Sequence, residues 1–268
     1  MRFKSISSGS KGNATYIGSD RTHILIDTGI SKKRIYEGLK QLDLSPKDLS
    51  AILITHEHTD HICALDILER DLQIPVFLTD GTKQSLQEKN HWMVPDELVH
   101  IIRADETFTI GDITVKALQV SHDAREPVCY RFQGSSSGGA GSCAVVTDLG
   151  EYDEKLLHEL KGLSVLMVEA NHDLRMLQTG PYPYPLKRRI ASGKGHLSNE
   201  TAGHLVSDLL HEGMQHIALG HLSQKNNYQE LALLAVQNEI DTRDNSWHAS
   251  DFPIDVADPQ TGTQVYSF

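Results

Sequence analysis

Residues 52–61 read Ile52-Leu53-Ile54-Thr55-His56-Glu57-His58-Thr59-Asp60-His61. The apolar run that ends at Ile54 predicts a short buried strand, because β-branched residues suit the interior of a sheet. His56 and His58 are two residues apart, so on an extended chain both side chains leave the same face and can bind one ion. Asp60 and His61 follow where the chain must turn, and they can bind a second ion beside the first. A solvated polar loop is the alternative, but donors this dense at the end of a strand favour a metal site.

The ligand types narrow the choice of ion. Imidazole with carboxylate suits zinc and also tolerates manganese or iron, and the loop offers no thiolate. Two divalent metal ions are therefore the expected cofactors.

Composition limits the class of protein. The chain has 268 residues, 39% of them hydrophobic, which is enough to bury one large core or two modest ones. Residues 1–13 are polar and lack the apolar stretch of a secretory signal, and no window approaches the roughly 18 apolar residues of a membrane span. The formal net charge of −11 argues against a general nucleic-acid coat, but it allows a nucleic-acid enzyme with a local basic patch.

The cysteines indicate the compartment. They are odd in number, widely spaced and in no CxxC pair, so we expect reduced and mostly buried thiols in a cytoplasmic protein without membrane contact. They are Cys63, Cys129 and Cys143.

A Gly/Ser-rich turn near the start has two interpretations. Residues 7–13 separate two expected strands and form either a tight turn or a cradle of backbone N–H groups for a phosphate. Asp27, which ends the third expected strand, is placed to orient metal ligands through a hydrogen bond.

Three later strand-like runs also end in residues that bind metals. His122 would by itself be an ordinary loop residue, but with the loop above it becomes the expected third ligand of the first ion. Asp148 can bridge two ions, because a carboxylate has two oxygens; its alternative role is to cap a helix over 151–160. His221 is the remaining expected ligand, for the second ion.

Basic residues cluster in the Pro-rich segment 174–195 of this acidic chain. Their clustering predicts phosphate contacts, and the alternative is a solvated loop. His196 follows just before a helix expected to be capped by Ser198 or Asn199, a position that favours a bound anion. The basic residues are Arg175, Lys187, Arg188, Arg189 and Lys194.

Apolar runs and turn signals predict the remaining elements. The expected strands are 3–6, 14–18, 22–27, 51–54, 74–78, 99–103, 107–110, 113–120, 127–133, 142–147, 163–169 and 217–220. The expected helices are 31–42, 61–70, one that is capped by Asp80 or Thr82 and ends near Asn90, 151–160, 200–211 and 227–239. Residues 134–141 are expected to form a hairpin tip, and the tail from Thr242 an irregular or edge-strand cover.

The expected ligands together resemble those of the metallo-β-lactamase superfamily. The resemblance covers nearly the whole chain and implies one α/β (α+β) domain over 1–268, an αββα sandwich of two facing mixed sheets flanked by helices. The metals would lie at one edge of the sandwich. The residues that carry it are Thr55-His56-Glu57-His58-Thr59-Asp60-His61, then His122, Asp148 and His221.

A finer pattern is similar to the YycJ (WalJ)-type subfamily, whose members are regarded as nucleic-acid phosphodiesterases, including 5′–3′ DNA exonucleases. The pattern consists of Ser8-Gly9-Ser10-Lys11-Gly12-Asn13, Glu169-Ala170-Asn171-His172-Asp173, Gly195-His196-Leu197-Ser198 and Gly220-His221-Leu222-Ser223. With this resemblance, the residues expected to contact substrate are Ser10, Asn13, Asn171, His172, Lys187, Arg188, Arg189, Lys194 and Ser223.

Phosphodiester hydrolysis fits these residues. Two ions about 3.5–4 Å apart can hold a bridging hydroxide and neutralise charge on a phosphate oxygen. Asp60 and His196 are the expected catalytic residues, and His196 would contact the phosphate or protonate the leaving oxygen. The expected ligands are His56, His58 and His122 for one ion, Asp60, His61 and His221 for the other, and Asp148 between them.

Other functions compete with a nuclease that acts on DNA. A small-molecule cyclic phosphodiesterase is the runner-up. Glyoxalase II-type thioester hydrolysis expels a good leaving group, which gives His196 little to do. A metal-stabilised scaffold is disfavoured, because structural metal sites are usually closed. The sequence leaves DNA or RNA preference, strand polarity and oligomeric state open, a homodimer included.

Overall fold

Two mixed β-sheets face each other across the centre of the molecule, and helices cover their outer faces. The computed structural model describes residues 1–89, 94–135 and 141–268. The strands are β1 (Arg2–Ser7), β2 (Ala14–Gly18), β3 (His23–Ile26), β4 (Ala51–Leu53), β5 (Val76–Thr79), β6 (Val99–Ile102), β7 (Thr107–Ile110), β8 (Ile113–Gln119), β9 (Val128–Gly134), β10 (Ser142–Val146), β11 (Val165–Glu169), β12 (His216–Gly220), β13 (Ile254–Val256) and β14 (Tyr266–Ser267). The α-helices are α1 (Lys32–Lys40), α2 (Thr59–Ile62), α3 (Leu65–Leu72), α4 (Asp80–Glu88), α5 (Glu154–Glu159), α6 (Leu174–Thr179), α7 (Tyr184–Ile190), α8 (Asn199–Leu209) and α9 (Gln229–Thr242).

The two sheets have similar patterns of strand pairing. The first has the order β14-β1-β2-β3-β4-β5-β6, with antiparallel pairs from β14 to β3 and parallel pairs from β3 to β6. The second has the order β13-β12-β11-β10-β9-β8-β7, with parallel pairs from β13 to β10 and antiparallel pairs from β10 to β7. Each sheet therefore has parallel strands whose carboxyl ends lie at one edge, where α/β proteins keep their functional residues.

Three apolar layers hold the sandwich together. The central layer joins both sheets and includes Phe3 and Ile24 from the first and Tyr130 and Val165 from the second. A second layer packs the first sheet against α1, α3 and α4, and a third packs the second sheet against α5, α8 and α9. The αββα architecture expected from the sequence is confirmed.

The second sheet also fixes the loop that follows β4. The buried Tyr130 hydroxyl donates to the Ile54 carbonyl at 2.8 Å, and the Val128 amide donates to the Thr55 carbonyl at 3.1 Å. These contacts cross from one sheet to the other, so packing of the sandwich determines where the histidine-rich loop begins.

Helix boundaries differ from expectation in two places. Instead of one helix over 61–70, the structure has α2 and α3, separated at Cys63 and Ala64. Thr79, not Asp80 or Thr82, caps α4, because its side chain accepts from the Thr82 amide. The predicted end of that helix, Asn90, lies outside the described residues, as do residues 136–140 of the predicted hairpin tip.

The Pro-rich basic segment forms helices rather than the solvated loop that was its alternative. Asp173 caps α6 through a bond from the Met176 amide. Pro185 lies in the first turn of α7, where a missing N–H removes no helical hydrogen bond.

The cysteines are mostly buried, as expected. Cys129 and Cys143 are buried, whereas Cys63 is exposed, because it lies at the break between α2 and α3. Within the described ranges, no helix has both the length and the apolar character needed to cross a membrane.

Candidate metal centre

The expected metal-binding side chains converge at the carboxyl ends of strands from both sheets. Three residues that follow strands adopt left-handed backbone conformations: Asp27 after β3, Asp148 after β10 and His221 after β12, with φ of 58°, 60° and 53°. Such values are uncommon outside glycine and concentrate at functional sites. They turn the chain sharply at the point where each strand reaches the centre.

His56, His58 and His122 form the first cluster. His56 Nε2 lies 3.0 Å from His58 Nδ1, and His122 Nε2 lies 3.3 Å from the same atom. Three nitrogens at about 2.0–2.1 Å from one tetrahedral zinc ion would be separated by roughly 3.3 Å. The donor atoms already have the spacing that a single ion requires.

Asp60, His61 and His221 form the second cluster. Asp60 Oδ2 lies 3.7 Å from His61 Nε2 and 3.6 Å from His221 Nε2. The buried His221 Nε2 has no hydrogen-bond partner among the described residues. A buried polar atom without such a partner is costly, so this atom fits a metal ligand.

Asp148 lies between the two clusters. Its Oδ1 is 3.7 Å from His122 Nε2 and 3.5 Å from His221 Nε2, and its Oδ2 is 3.1 Å from His61 Nε2. The carboxylate can therefore face an ion in each cluster. It does not cap α5, a role that belongs to Asp153.

Buried carboxylates behind the clusters orient the histidine rings. Asp27 Oδ2 contacts His61 Nδ1 at 2.8 Å and also accepts from the Thr55 hydroxyl at 2.9 Å. Glu169 Oε2 lies 3.2 Å from His221 Nδ1, and the Gly195 carbonyl lies 3.1 Å from His122 Nδ1. A partner on Nδ1 holds the proton there and leaves Nε2 for the metal.

Glu169 is the functional residue that sequence reasoning missed, since the sequence singles it out only within a family pattern. Besides His221, its Oε2 contacts His196 Nδ1 at 3.1 Å, and its Oε1 accepts from the amides of Leu149 and Leu197. The available signal was a carboxylate at the end of an apolar run, the same signal that singled out Asp148.

Charge–charge interactions divide the histidines into two groups. Burial and neighbouring histidines hold the pKa of His56 well below its usual range, and burial lowers that of His58. Burial alone would also lower the pKa values of His61 and His221. Nearby carboxylates, Asp148 foremost, outweigh it and raise the pKa of His61 well above its usual range and that of His221 to about 10.

The carboxylates of the centre stay ionised. Burial raises the pKa of Glu169, but His196 and His221 outweigh this and lower it to about 2. The pKa of Asp148 is well below its usual range because His221 and His61 together outweigh the effect of burial. In the metal-free protein, His61 and His221 therefore hold protons that bound ions would displace.

His196 lies next to the two clusters but belongs to neither of them. Its Nδ1 is held by Glu169 and lies 3.8 Å from Asp148 Oδ1, and its side chain is 16% exposed. This leaves Nε2 as the ring atom available to a substrate. Ser198, two residues later, caps α8 by accepting from the Thr201 amide, as expected.

The basic residues assigned to substrate have different surroundings. Arg189 binds the Asp123 carboxylate through Nε and Nη2, and Asp123 Oδ1 lies 3.4 Å from His122 Nε2. Lys187 donates to the Gln178 carbonyl at 2.8 Å. Lys194 is exposed and lines a cavity of about 650 Å³ beside His122. Only part of the basic cluster therefore faces the centre.

Four residues expected to contact substrate are buried behind the ligands. Asn13 Nδ2 is 3.1 Å from His61 Nε2, and Asn171 Nδ2 donates to the His221 carbonyl at 2.8 Å. His172 and Ser223 are likewise buried, so these four fit a positioning role better than substrate contact. Ser10 and Arg188, the two that remain, are exposed.

The Gly/Ser turn over residues 7–13 is a tight turn, and several of its backbone amides already donate hydrogen bonds within the protein. The Gly12 amide donates to the Gly9 carbonyl, the Gly9 amide to Asn13 Oδ1, and the Asn13 amide to the Asp60 carbonyl. Ser8 Oγ accepts from the His221 amide at 2.8 Å. These bonds favour a role in positioning the ligands over the alternative, a phosphate cradle.

Comparison with known proteins agrees with this geometry. A family model described as "Beta-lactamase superfamily domain" matches residues 22–217. The chain is 35% identical to an exodeoxyribonuclease YycJ of Bacillus anthracis, over 99% of this chain and 98% of that protein. It is 34% identical to an exodeoxyribonuclease WalJ of Streptococcus pneumoniae, over 99% and 97%. The crystal structure of the metallo-beta-lactamase fold protein YhfI from Bacillus subtilis superposes with a TM-score of 0.72 and 15% identity, covering 99% of this chain and 98% of that one.

Proposed function

The chain belongs to the β-lactamase superfamily, and from that premise we propose that it is a metal-dependent exonuclease that hydrolyses phosphodiester bonds of DNA. The observation that carries the proposal is the pair of donor clusters on either side of Asp148. Relatives that align with almost the whole chain bear the name exodeoxyribonuclease, which supports DNA as substrate. A 5′–3′ direction is the polarity we expect.

The residues present fit two divalent ions. His56, His58 and His122 would hold one, Asp60, His61 and His221 the other, and the carboxylate of Asp148 would face both. The absence of thiolates and the imidazole–carboxylate mixture suit zinc or manganese, and iron also fits. Bound ions would lower the pKa of a water molecule and neutralise charge on the phosphate.

His196 is the proposed general acid. An alkoxide is a poor leaving group, so the departing oxygen needs a proton, and His196 Nε2 can deliver it. Glu169 fixes the imidazole through Nδ1 and so leaves Nε2 as the atom that can donate to the substrate. Asp60, a proposed ligand of the second ion, is the other residue whose loss should abolish turnover.

Arg189 is the proposed phosphate-binding residue closest to the centre. Its pKa is raised by the hydrogen bond to Asp123, and the charges of Asp60 and Asp148 add to the effect. The guanidinium therefore lies within electrostatic reach of both clusters. Lys194, beside His122, is proposed to contact a flanking phosphate.

The test is hydrolysis by metal-reconstituted protein of DNA labelled at the 5′ end or the 3′ end, with bis-p-nitrophenyl phosphate in parallel. We expect progressive release of nucleotides from one end, lost in Asp60→Ala and reduced at least a hundredfold in His196→Ala. His204→Ala is the matched control, because it removes a histidine–glutamate pair on α8 and α9 outside the centre.

Other outcomes would redirect the proposal. Hydrolysis of the small ester without attack on either DNA strand would point to a small-molecule phosphodiesterase. No hydrolysis of DNA or ester by protein that contains two ions would contradict phosphodiester chemistry altogether.

The wider context is also proposed. The unpaired cysteines suit a reducing compartment, so we place the enzyme in the cytoplasm. The central apolar layer draws on strands from both halves of the sequence, which supports one domain over residues 1–268. That the protein forms a homodimer stays a prediction. Light scattering in solution would measure the oligomeric state.

A further inference from the structure

One of the five histidine rings in the two clusters lacks the support that the other four have. Each of those four has a hydrogen-bonding partner within 3.2 Å of the nitrogen that faces away from its cluster. The partners are the Thr55 hydroxyl for His56, the Asp27 carboxylate for His61, the Gly195 carbonyl for His122 and the Glu169 carboxylate for His221. Among the described residues, none lies within hydrogen-bonding distance of the corresponding nitrogen of His58.

The ring of His58 has the opposite orientation from the other four. Its Nδ1 lies near His56 Nε2 and His122 Nε2, so Nδ1 faces the first cluster and Nε2 is on the other side of the ring. Asp123 Oδ1 lies 3.8 Å from this Nε2, about 1 Å beyond the length of a charge-assisted hydrogen bond. A small side-chain movement would therefore give His58 the partner that it lacks.

Arg189 holds the Asp123 carboxylate in this place. It donates from Nε to Oδ2 and from Nη2 to Oδ1, the second contact at 3.0 Å. The side chain of Arg189 is 53% exposed and that of Asp123 is 28% exposed, and ion pairs this exposed add little stability. Stability of the fold therefore does not explain why this pair lies beside the first cluster.

The backbone near Asp123 is fixed to the histidine-rich loop. Glu57, the residue before His58, is buried, and its Oε1 accepts from the Arg125 amide at 2.9 Å. Arg125 is two residues after Asp123, so this bond joins the loop that carries Asp123 to the residue next to His58. The distance between the carboxylate and the His58 ring is thus set by local contacts on both sides.

Occupation of the first cluster would change which ring faces Asp123. Asp123 Oδ1 is also 3.4 Å from His122 Nε2, the atom that His122 offers to an ion. A nitrogen that binds an ion cannot also donate to a carboxylate. A neutral His58 that binds through Nδ1 carries its proton on Nε2, and this N–H then becomes the imidazole donor nearest in position to Asp123.

We propose that Asp123 is the positioning residue of His58, whose Nε2–H donates to the Asp123 carboxylate when the first cluster holds an ion. Arg189 keeps the carboxylate in place. This inference rests on the ligand assignment of the proposed function and adds the support of the fifth histidine. Because Arg189 is also the proposed phosphate-binding residue, one carboxylate links the first cluster to the phosphate-binding side of the centre.

Zinc titration tests the inference without DNA. In an Asp60→Ala background, which weakens the second cluster, isothermal titration reports on the first cluster by itself. We expect Asp123→Ala to lower the zinc affinity about 10–100-fold, as when comparable supporting residues are removed. Asp123→Asn keeps the shape but loses the charge and should have an intermediate effect. Asp123→Glu keeps a carboxylate and should lose less than either.

NMR of the zinc-loaded protein gives a readout that a general loss of structure would not reproduce. An imidazole N–H that donates to a carboxylate exchanges slowly with water, so the His58 Nε2 proton should be visible in the wild type and lost in Asp123→Ala. Asp208→Ala is the matched control, because Asp208 is 29% exposed and binds Arg243 Nη2 at 2.8 Å. Thermal melting establishes that each variant is folded.

Four results would overturn the inference. They are wild-type zinc affinity in Asp123→Ala, a loss of the same size in Asp208→Ala, a His58 Nε2 proton that persists in Asp123→Ala, and a changed absorption spectrum of cobalt-saturated Asp123→Ala. The last would show that Asp123 binds the ion itself. Failure of the proposed function looks different, since zinc affinity would depend on Asp123 while the two-ion protein hydrolysed neither DNA nor bis-p-nitrophenyl phosphate.

Discussion

At the scale of single residues, buried carboxylates outside the proposed ligand set contact the histidine rings of the centre. Glu169 is fully buried and connects the ring of a proposed metal ligand, His221, to the ring of the proposed acid, His196. Its low pKa shows that both contacts favour its ionised form. On the proposed assignments, this one side chain would couple metal binding by His221 to protonation of the leaving oxygen by His196.

Glu169→Gln tests this coupling with little change of shape. The amide keeps the volume but loses the charge, so His221 loses the partner that holds its Nδ1 proton. We expect affinity for one of the two ions to fall about 10–100-fold, as when comparable supporting residues are removed. Isothermal titration with zinc measures this, and Glu159→Gln, which breaks a surface pair with Lys116, is the control. Unchanged affinity for both ions would show that Glu169 does not orient His221.

Arg189→Lys tests the guanidinium that Asp123 holds. Lysine keeps the charge but cannot contact a carboxylate or phosphate through two parallel N–H groups. We expect kcat/KM for DNA to fall about tenfold, roughly 1.4 kcal/mol, with little effect on bis-p-nitrophenyl phosphate. Arg243→Lys, which alters a similar pair with Asp208, should leave both substrates unaffected. An equal loss on both substrates would instead indicate that Arg189 acts on the centre itself.

At the scale of elements, the turns that follow the strands set the geometry. Asp27, Asp148 and His221 all have positive φ, at a cost that the surrounding contacts must offset. Gly29 adds close packing, since its amide donates to the Asn13 carbonyl while the Asn13 amide binds the Asp60 carbonyl. The loop before α1 thus packs directly against the backbone of Asp60, a proposed ligand.

Gly29→Ala should disturb this contact. A Cβ atom at Gly29 would lie 1.6 Å from the Asp60 carbonyl oxygen, so the backbone of the ligand must move. We expect weaker binding of the second ion and a lower melting temperature. Gly162→Ala is the control, because its φ of +74° brings strain but nothing lies within 4 Å of its Cβ. If Gly29→Ala bound two ions with wild-type affinity, the close approach would have no bearing on the centre.

The sequence indicates some elements better than others. Alternating apolar runs marked the strands, and Ser31 marked the start of α1, where it accepts from the Arg34 amide. The sequence does not predict helices α6 and α7, because proline usually interrupts a helix, whereas Pro185 occupies the first turn of α7, where it is tolerated. Capping by Asp173 was the local signal that could have revealed α6.

At the scale of the whole molecule, the types and order of residues in the sequence indicate the proposed metal ligands, but not the residues that hold those ligands in position. Each ligand ends or follows an apolar run, so the sequence indicates it directly. Asn13 and Asn171 could not be classified this way, because their role depends on which strands meet at the edge of the sandwich. Their burial, a result of tertiary packing, distinguishes support of a ligand from contact with substrate.

The ionised network also predicts how stability depends on pH. In the metal-free protein, the pKa of His221 is about 10, against roughly 6.5 when unfolded. The folded state therefore binds more protons than the unfolded state between these values, and the free energy of unfolding falls as pH rises from 6.5 to 10. Glu169 contributes in the acidic range: because its pKa is lower in the folded protein, the free energy of unfolding falls as pH drops from about 4.5 towards 2.

Bound ions should remove the alkaline loss, because they replace the protons on His61 and His221. We expect the gain in melting temperature from added zinc to be larger at pH 9 than at pH 6.5, because displacing the protons costs less free energy at higher pH, with protons released on binding at both values. Melting curves in EDTA and in zinc at both values measure this, and buffers of different ionisation enthalpy report the released protons. Asp60→Ala, which weakens the second cluster, should show a smaller difference between the two pH values. A zinc effect that is equal at both would contradict the assignment of protonated histidines to the metal-free centre.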